Sequence, residues 1–201
     1  MRRTRFVSCL ASVGILATVA IVVAAPQGRP QTAPPVGPVP ANLLARVLPA
    51  CDNRPAEATV TFTEDGKTWT FYVAAKNRRY AGVAFASSAW GYSSFIRVLV
   101  GVNTNEAVQG IEILEQQETR GLGTRVADDA FRAQFAGKDA AKTPWATRTR
   151  GGAIDAITGA TISSDAVLAA VRAGLEVYHK HRDAIRRVIE PAGLAAPAGT
   201  P

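Results

Sequence analysis

Between positions 151 and 165 the chain reads Gly-Gly-Ala-Ile-Asp-Ala-Ile-Thr-Gly-Ala-Thr-Ile-Ser-Ser-Asp. The hydroxyl groups of Thr158, Thr161, Ser163 and Ser164 crowd around Gly159 and Ala160, directly before a long amphipathic run. A loop of this kind can cap a helix, with Ser163 or Ser164 as the expected N-cap. It can also offer a phosphate the unpaired amides and the positive end of the helix dipole. It is not a P-loop, because the lysine is missing and the glycine spacing is wrong.

Other chemistry is thin. Glu112, Glu115 and Glu118 have helical spacing but fall at a strand end, where solvated side chains are expected. His179 and His181 alternate across the last helix and read as surface residues, while Trp69, Trp90 and Trp145 read as packing. Two histidines exclude a histidine-rich metal centre, and two cysteines, Cys9 and Cys51, are too few for a disulfide scaffold or a Cys₄ zinc site. No metal site is expected. The formal charge is +7, but three of the 23 basic residues lie at the extreme N-terminus and the remaining 20 face 16 acids. With no block of like charge, a nucleic-acid groove is not expected.

The elements that must hold the hydroxyl loop follow from patterning. The chain has 201 residues, of which 47% are hydrophobic and 19% charged, enough for one folded domain with an appendage. Residues 1–5 are a basic end, and residues 6–25 carry no charge. As a helix, those twenty residues span about 30 Å, the thickness of a bilayer's hydrocarbon core. An uncleaved transmembrane anchor is expected, with its N-terminus cytoplasmic by the positive-inside rule. Proline blocks regular structure over 26–40, which reads as a semi-extended tether of about 45 Å. A short helix over 41–48 ends at Pro49. Hairpin strands are predicted at 59–63 and 68–75 across Asp65-Gly66, a third strand at 80–86, and a second hairpin at 95–102 and 108–114. A short helix is predicted at 126–135 and a long one from 164 to about 190, followed by a disordered tail, 191–201. Strands in sequence with segregated helices give an α+β class: an antiparallel sheet with flanking helices, preceded by one membrane helix.

Asp155-Ala156-Ile157-Thr158-Gly159-Ala160-Thr161 resembles, at every defined position, the Asp-x-x-(Ser/Thr)-Gly-Ala-Thr flavinylation motif of the periplasmic covalent FMN-binding domain family. Two further segments resemble that family. Gly91-Tyr92-Ser93-Ser94 is similar to its glycine-tyrosine turn, and Glu118-Thr119-Arg120-Gly121-Leu122-Gly123 to its Glu-Thr-Pro-Gly-Leu-Gly loop, with Arg120 in the proline's place. Within the family, the order of elements over 41–190 is similar to that of the G subunit of the Rnf ion-translocating electron-transport complex. The C subunit of the sodium-translocating NADH:quinone oxidoreductase is a relative.

The resemblance implies one FMN per chain, joined through its phosphate to Thr161 by a flavin transferase. It implies a cofactor site of Tyr92, Glu118, Thr119, Gly121, Leu122, Gly123, Asp155, Thr158, Gly159, Ala160, Thr161 and Ser163. Leu122 would cover the apolar part of the ring, Glu118 and Thr119 would supply polar contacts, and Trp145 could stand nearby. The implied role is an electron-carrying subunit of a membrane complex that couples electron transfer to ion translocation, with iron–sulfur and membrane subunits as partners and no catalysis of its own. The implied location is the bacterial inner membrane, single-pass, with the domain in the periplasm. Alternatives are the flavin domain of another respiratory chain or of a membrane regulator, and a binding module without covalent flavin.

Overall fold

In the computed structural model, which describes residues 37–189, five strands follow one another in chain order. They are β1 (Thr59–Glu64), β2 (Lys67–Lys76), β3 (Arg79–Trp90), β4 (Phe95–Asn103) and β5 (Val108–Glu115). All pair antiparallel with their sequence neighbours, giving the order β1-β2-β3-β4-β5. The basic end, the membrane segment, residues 26–36 of the tether and the tail lie outside the described residues. Among the described residues, no helix is long and apolar enough to cross a membrane.

Turn chemistry sets the hairpins. Asp65 and Gly66 both take positive φ (51° and 73°), as a two-residue hairpin loop requires. Asn77 and Arg78 do the same between β2 and β3. The third strand is longer than its apolar core suggests: Ser87, Ser88, Ala89 and Trp90 extend it, paired with Val98, Arg97, Ile96 and Phe95 of β4.

Side chains alternate across the sheet, and each face has its own cover. On one, Phe71, Val73, Val83, Phe85, Val98 and Val100 pack against Val167, Leu168, Val171, Leu175 and Tyr178 of the long helix α3 (Thr161–Arg187). Close approach is possible because residue 174 is glycine: a Cβ there would stand 2.3 Å from the Phe85 ring. On the other face Tyr72, Ala74, Ala84, Ala86 and Leu99 meet Leu44, Val47 and Leu48 at α1 (Ala41–Val47). The alanines keep that face shallow, and the folded unit reaches back to Val39, which is buried and donates its amide to the Tyr72 hydroxyl at 3.1 Å.

The stretch expected as one short helix is instead three pieces, the 3₁₀ turn Gly123–Ala127, the single-turn α2 (Asp129–Arg132) and the 3₁₀ turn Ala133–Phe135. Asp128 takes an extended conformation (ψ 143°) and interrupts the first two. Phe131 and Phe135 are buried from this segment, and the Trp145 ring stacks on Phe135.

Of the strand-end glutamates expected in solvent, Glu115 is exposed as expected and Glu112 is part of the scaffold. Glu112 is buried between Arg46 of α1 and Arg132 of α2. Glu115 is exposed and pairs with Arg97 of β4 at 3.0 Å. The histidines also depart from the surface reading, because α3 presses them onto glutamates at hairpin turns. His181 lies 2.7 Å from Glu64 and stacks on Phe62, while His179 lies 3.6 Å from Glu106. Glu106 also accepts Arg186 at 2.6 Å and the Tyr178 hydroxyl at 3.4 Å.

Candidate functional site

The hydroxyl loop ends earlier than its sequence suggests. The helix begins at Thr161, with Ala160 at the cap position and no side-chain cap. The expected caps Ser163 and Ser164 are therefore inside the first turn, where their hydroxyls are engaged. Ser164 Oγ donates to the Ala160 carbonyl and accepts the Ile157 amide, both at 3.0 Å, which closes the loop onto the helix. Ser163 Oγ donates to Glu118 at 2.5 Å. Both serines are buried, whereas Thr161 and Thr158 are exposed.

A cleft of about 510 Å³ opens beside Thr161, lined by Tyr92, Thr119, Leu122, Gly123, Gly159, Ala160, Thr161, Ile162 and Ser163. Three separate segments thus converge: the turn after β3, the loop after β5, and the start of α3. Two wall features follow from local geometry. Thr119-Arg120-Gly121-Leu122 is a tight turn closed by Leu122 N–H to the Thr119 carbonyl (3.2 Å), with Gly121 at φ 75°. That is the pattern of a type II turn, in which the second position suits proline and the third glycine. Leu122 then leans on Gly159, where a Cβ would sit 3.2 Å from its Cδ2.

The cleft's chemistry is mixed. Tyr92, Leu122 and Ile162 are 63%, 45% and 51% exposed, an apolar rim gathered at one place. The cleft is also walled by the start of α3, whose first amides no preceding turn can accept, with Thr161 among the lining residues. Apolar side chains beside a helix start fit a ligand with a planar apolar body and an anionic tail. Those residues fit a flavin mononucleotide: Tyr92, Leu122 and Ile162 would meet its ring and the α3 start its phosphate.

Of the expected site residues, Tyr92, Thr119, Leu122, Gly123, Gly159, Ala160, Thr161 and Ser163 line the cleft. Ile162 joins them, unmarked by the motif, because the helix starts early enough to turn it outward. Thr158 and Asp155 do not line it; they border a smaller groove of about 210 Å³. Asp155 pairs with Arg148 at 2.7 Å and its amide bonds the Gln134 side chain at 2.7 Å, so it fixes the lead-in loop. Gly121 shapes the turn without lining the cleft. Glu118, expected to offer contacts into the site, is buried behind the wall. Its carboxylate accepts the amides of Tyr92 (2.9 Å), Ser93 (2.9 Å) and Ser94 (3.1 Å). Burial pushes this carboxyl up, but the bonds from Ser163 and from those amides outweigh it and hold the group below the usual glutamate range. Trp145 lines a different cleft, with Arg150, Arg172 and His179, because its ring is anchored on Phe135 and its Nε1 donates to the Ala140 carbonyl at 3.1 Å.

The family model described as the FMN-binding domain matches residues 91–176, which run from the glycine-tyrosine turn through most of α3. The G subunit of the ion-translocating oxidoreductase complex of Cereibacter sphaeroides strain ATCC 17023 is 33% identical over 156 residues, 74% of this chain and 71% of that protein. Its counterpart in Vibrio vulnificus is 34% identical over 158 residues, covering 72% and 74%. The crystal structure of Shewanella oneidensis NqrC superposes with a TM-score of 0.51 at 21% identity, over 64% of this chain and 69% of that one, a likeness of fold. The chain belongs to the FMN-binding domain family, alongside relatives named as the G subunit of the ion-translocating oxidoreductase complex.

Proposed function

We propose that this chain is an electron-carrying flavoprotein subunit of an ion-translocating oxidoreductase complex, with FMN held as a phosphodiester on Thr161. The observation that carries this reading is the sorting of hydroxyls at the start of α3. Ser163 and Ser164 are buried and hydrogen-bonded inward, while Thr161 stands exposed on the wall of the 510 Å³ cleft. Thr158 is exposed too, but on the neighbouring groove. Of these four hydroxyls, only that of Thr161 is both exposed and beside the space a flavin would fill.

The attachment is a group transfer in which a transferase brings FAD to the loop. Thr161 Oγ1 attacks the FMN phosphorus, the pyrophosphate bond breaks, AMP leaves and the hydroxyl proton goes to the transferase or solvent. Small neighbours, Gly159 and Ala160, leave room for that approach. The diester keeps one negative charge beside the α3 amides, where the helix dipole stabilises it by roughly 1 kcal/mol. FMN when bound supplies one- or two-electron transfer, while the protein sets access and environment. Tyr92, Leu122 and Ile162 cover apolar ring surface, and Thr119 offers a hydroxyl at the cleft wall.

The uncharged segment over 6–25 would anchor the chain in the inner membrane with the domain on the periplasmic side, and the iron–sulfur and membrane subunits of the complex would be its electron partners. A denaturing gel tests the cofactor. Co-expressed with a flavin transferase, the full chain is expected to give a fluorescent band under ultraviolet light that Thr161→Val abolishes. A dark band from the unsubstituted chain would remove the covalent flavin and favour a binding module.

A further inference from the structure

Behind the cleft, one carboxylate touches all three segments that wall it. Glu118 Oε2 accepts the Tyr92 amide and the Ser163 hydroxyl, and Oε1 accepts the amides of Ser93 and Ser94. Backbone closes on it from two sides. A Cβ at Gly91 would stand 2.7 Å from Oε1, and one at Gly123 would stand 2.6 Å from the Glu118 Cβ and 2.7 Å from Ser163 Oγ. The glycines at both positions therefore make room for this carboxylate, and Gly123 also lines the cleft.

We propose that Glu118 is the positioning residue of the cofactor cleft, gathering the 91–94 turn, its own loop and the first turn of α3 around a single ionised group before any cofactor arrives. The role rests on reading this cleft as the flavin site, but the staple itself is a property of the chain alone. Three consecutive amides aimed at one acceptor form a concave donor set that only an anion satisfies fully, because its oxygens need no donor of their own. The same bond takes the Ser163 hydroxyl out of use, which leaves Thr161 as the free alcohol of the helix start. Glutamine at 118 offers one acceptor oxygen in place of two and turns an NH₂ toward amides that can only donate.

The charge has no ion-pair partner among the described residues. On the elements around it, Tyr92 lies on the turn, Arg125 pairs with Asp128, Asp165 of α3 pairs with Arg150, Arg97 pairs with Glu115, and Arg120 is exposed on the same loop. The amide and hydroxyl bonds, which hold the carboxyl below its ordinary range, are therefore the features that set its titration. The staple is complete above the ordinary glutamate range and is lost as pH falls through the lowered native value.

Amide NMR on the full chain in detergent micelles, before flavin loading, tests this. The Tyr92, Ser93 and Ser94 amides are expected to shift together with one midpoint below the ordinary glutamate range. Glu118→Gln is expected to abolish that shared titration. It should also cut hydrogen-exchange protection of the three amides and the rate of flavin loading by about tenfold or more each, the loss of a charged hydrogen bond, with β3 and β4 amides still protected. Three amides that do not titrate together, or a glutamine variant that keeps their protection, would overturn the proposal. If Glu118→Gln fails to fold, the titration of the unsubstituted chain decides alone. A shared titration in a chain that never takes flavin on Thr161 would uphold the staple and sink the cofactor reading instead.

Discussion

The two ends of α3 are held to different degrees. Its C-terminal half is gripped by charged side chains: Glu64 takes Lys180 and His181, and Glu106 takes Arg186, with Arg182 and His179 close by. Its N-terminal end has fewer such ties, Ser163 to the buried Glu118 and Asp165 to Arg150 and Thr147, and it exposes a threonine and an isoleucine beside a cleft. A helix start that must offer its amides and a hydroxyl to a ligand cannot also satisfy them internally. In the proposed reading, the less tightly held end is the one that takes the cofactor.

Substitutions at three places separate the two ends. The largest effect is expected midway, at Gly174→Val. Its side chain would collide with the Phe85 ring and lift the helix from β3, costing about 3 kcal/mol by overpacking. The denaturant midpoint should fall with an unchanged slope, and both ends should loosen together. Glu106→Gln should act on the C-terminal half alone. Glu106 is partly exposed, so the loss is expected to be about 1 kcal/mol, read as faster amide exchange over residues 178–186 with flavin loading unaffected. Equal loosening around Ser163 would erase the distinction between the ends.

The smallest effect should be a gain. Arg120 occupies the second position of the turn that closes at Leu122, and none of the backbone hydrogen bonds among the described residues uses its amide. Arg120→Pro is expected to stabilise the chain by roughly 0.5 kcal/mol through the unfolded state and to slow exchange in the 119–124 loop. A destabilised variant would show that this loop departs from type II turn geometry.

Much of the sheet was legible because turn chemistry and alternation are local signals. Asp65-Gly66 and the apolar run 68–75 place one hairpin without reference to anything distant. The hydroxyl-rich loop and the apolar spacing after it located the start of the last helix to within three residues. Glu118 was legible as a motif position but not in its orientation. Its partners lie 24 to 45 residues away in sequence, and a glutamate after a strand looks solvated until the 91–94 turn is folded over it. Glu112 was missed for the same reason, its arginines coming from α1 and α2. The single helix expected over 126–135 failed locally, at Asp128, whose extended backbone separates the 3₁₀ turn from α2. Ile162 became visible only when the helix was seen to begin at Thr161 rather than at a serine.

Mass analysis of the tryptic peptide spanning residues 151–172, taken from the native chain, tests the central claim most directly. The account predicts that this peptide carries the mass of FMN less one water, with fragmentation placing the addition on Thr161 and leaving Ser163 and Ser164 bare. An unmodified peptide from fully mature protein, or the group found on another residue, would contradict it.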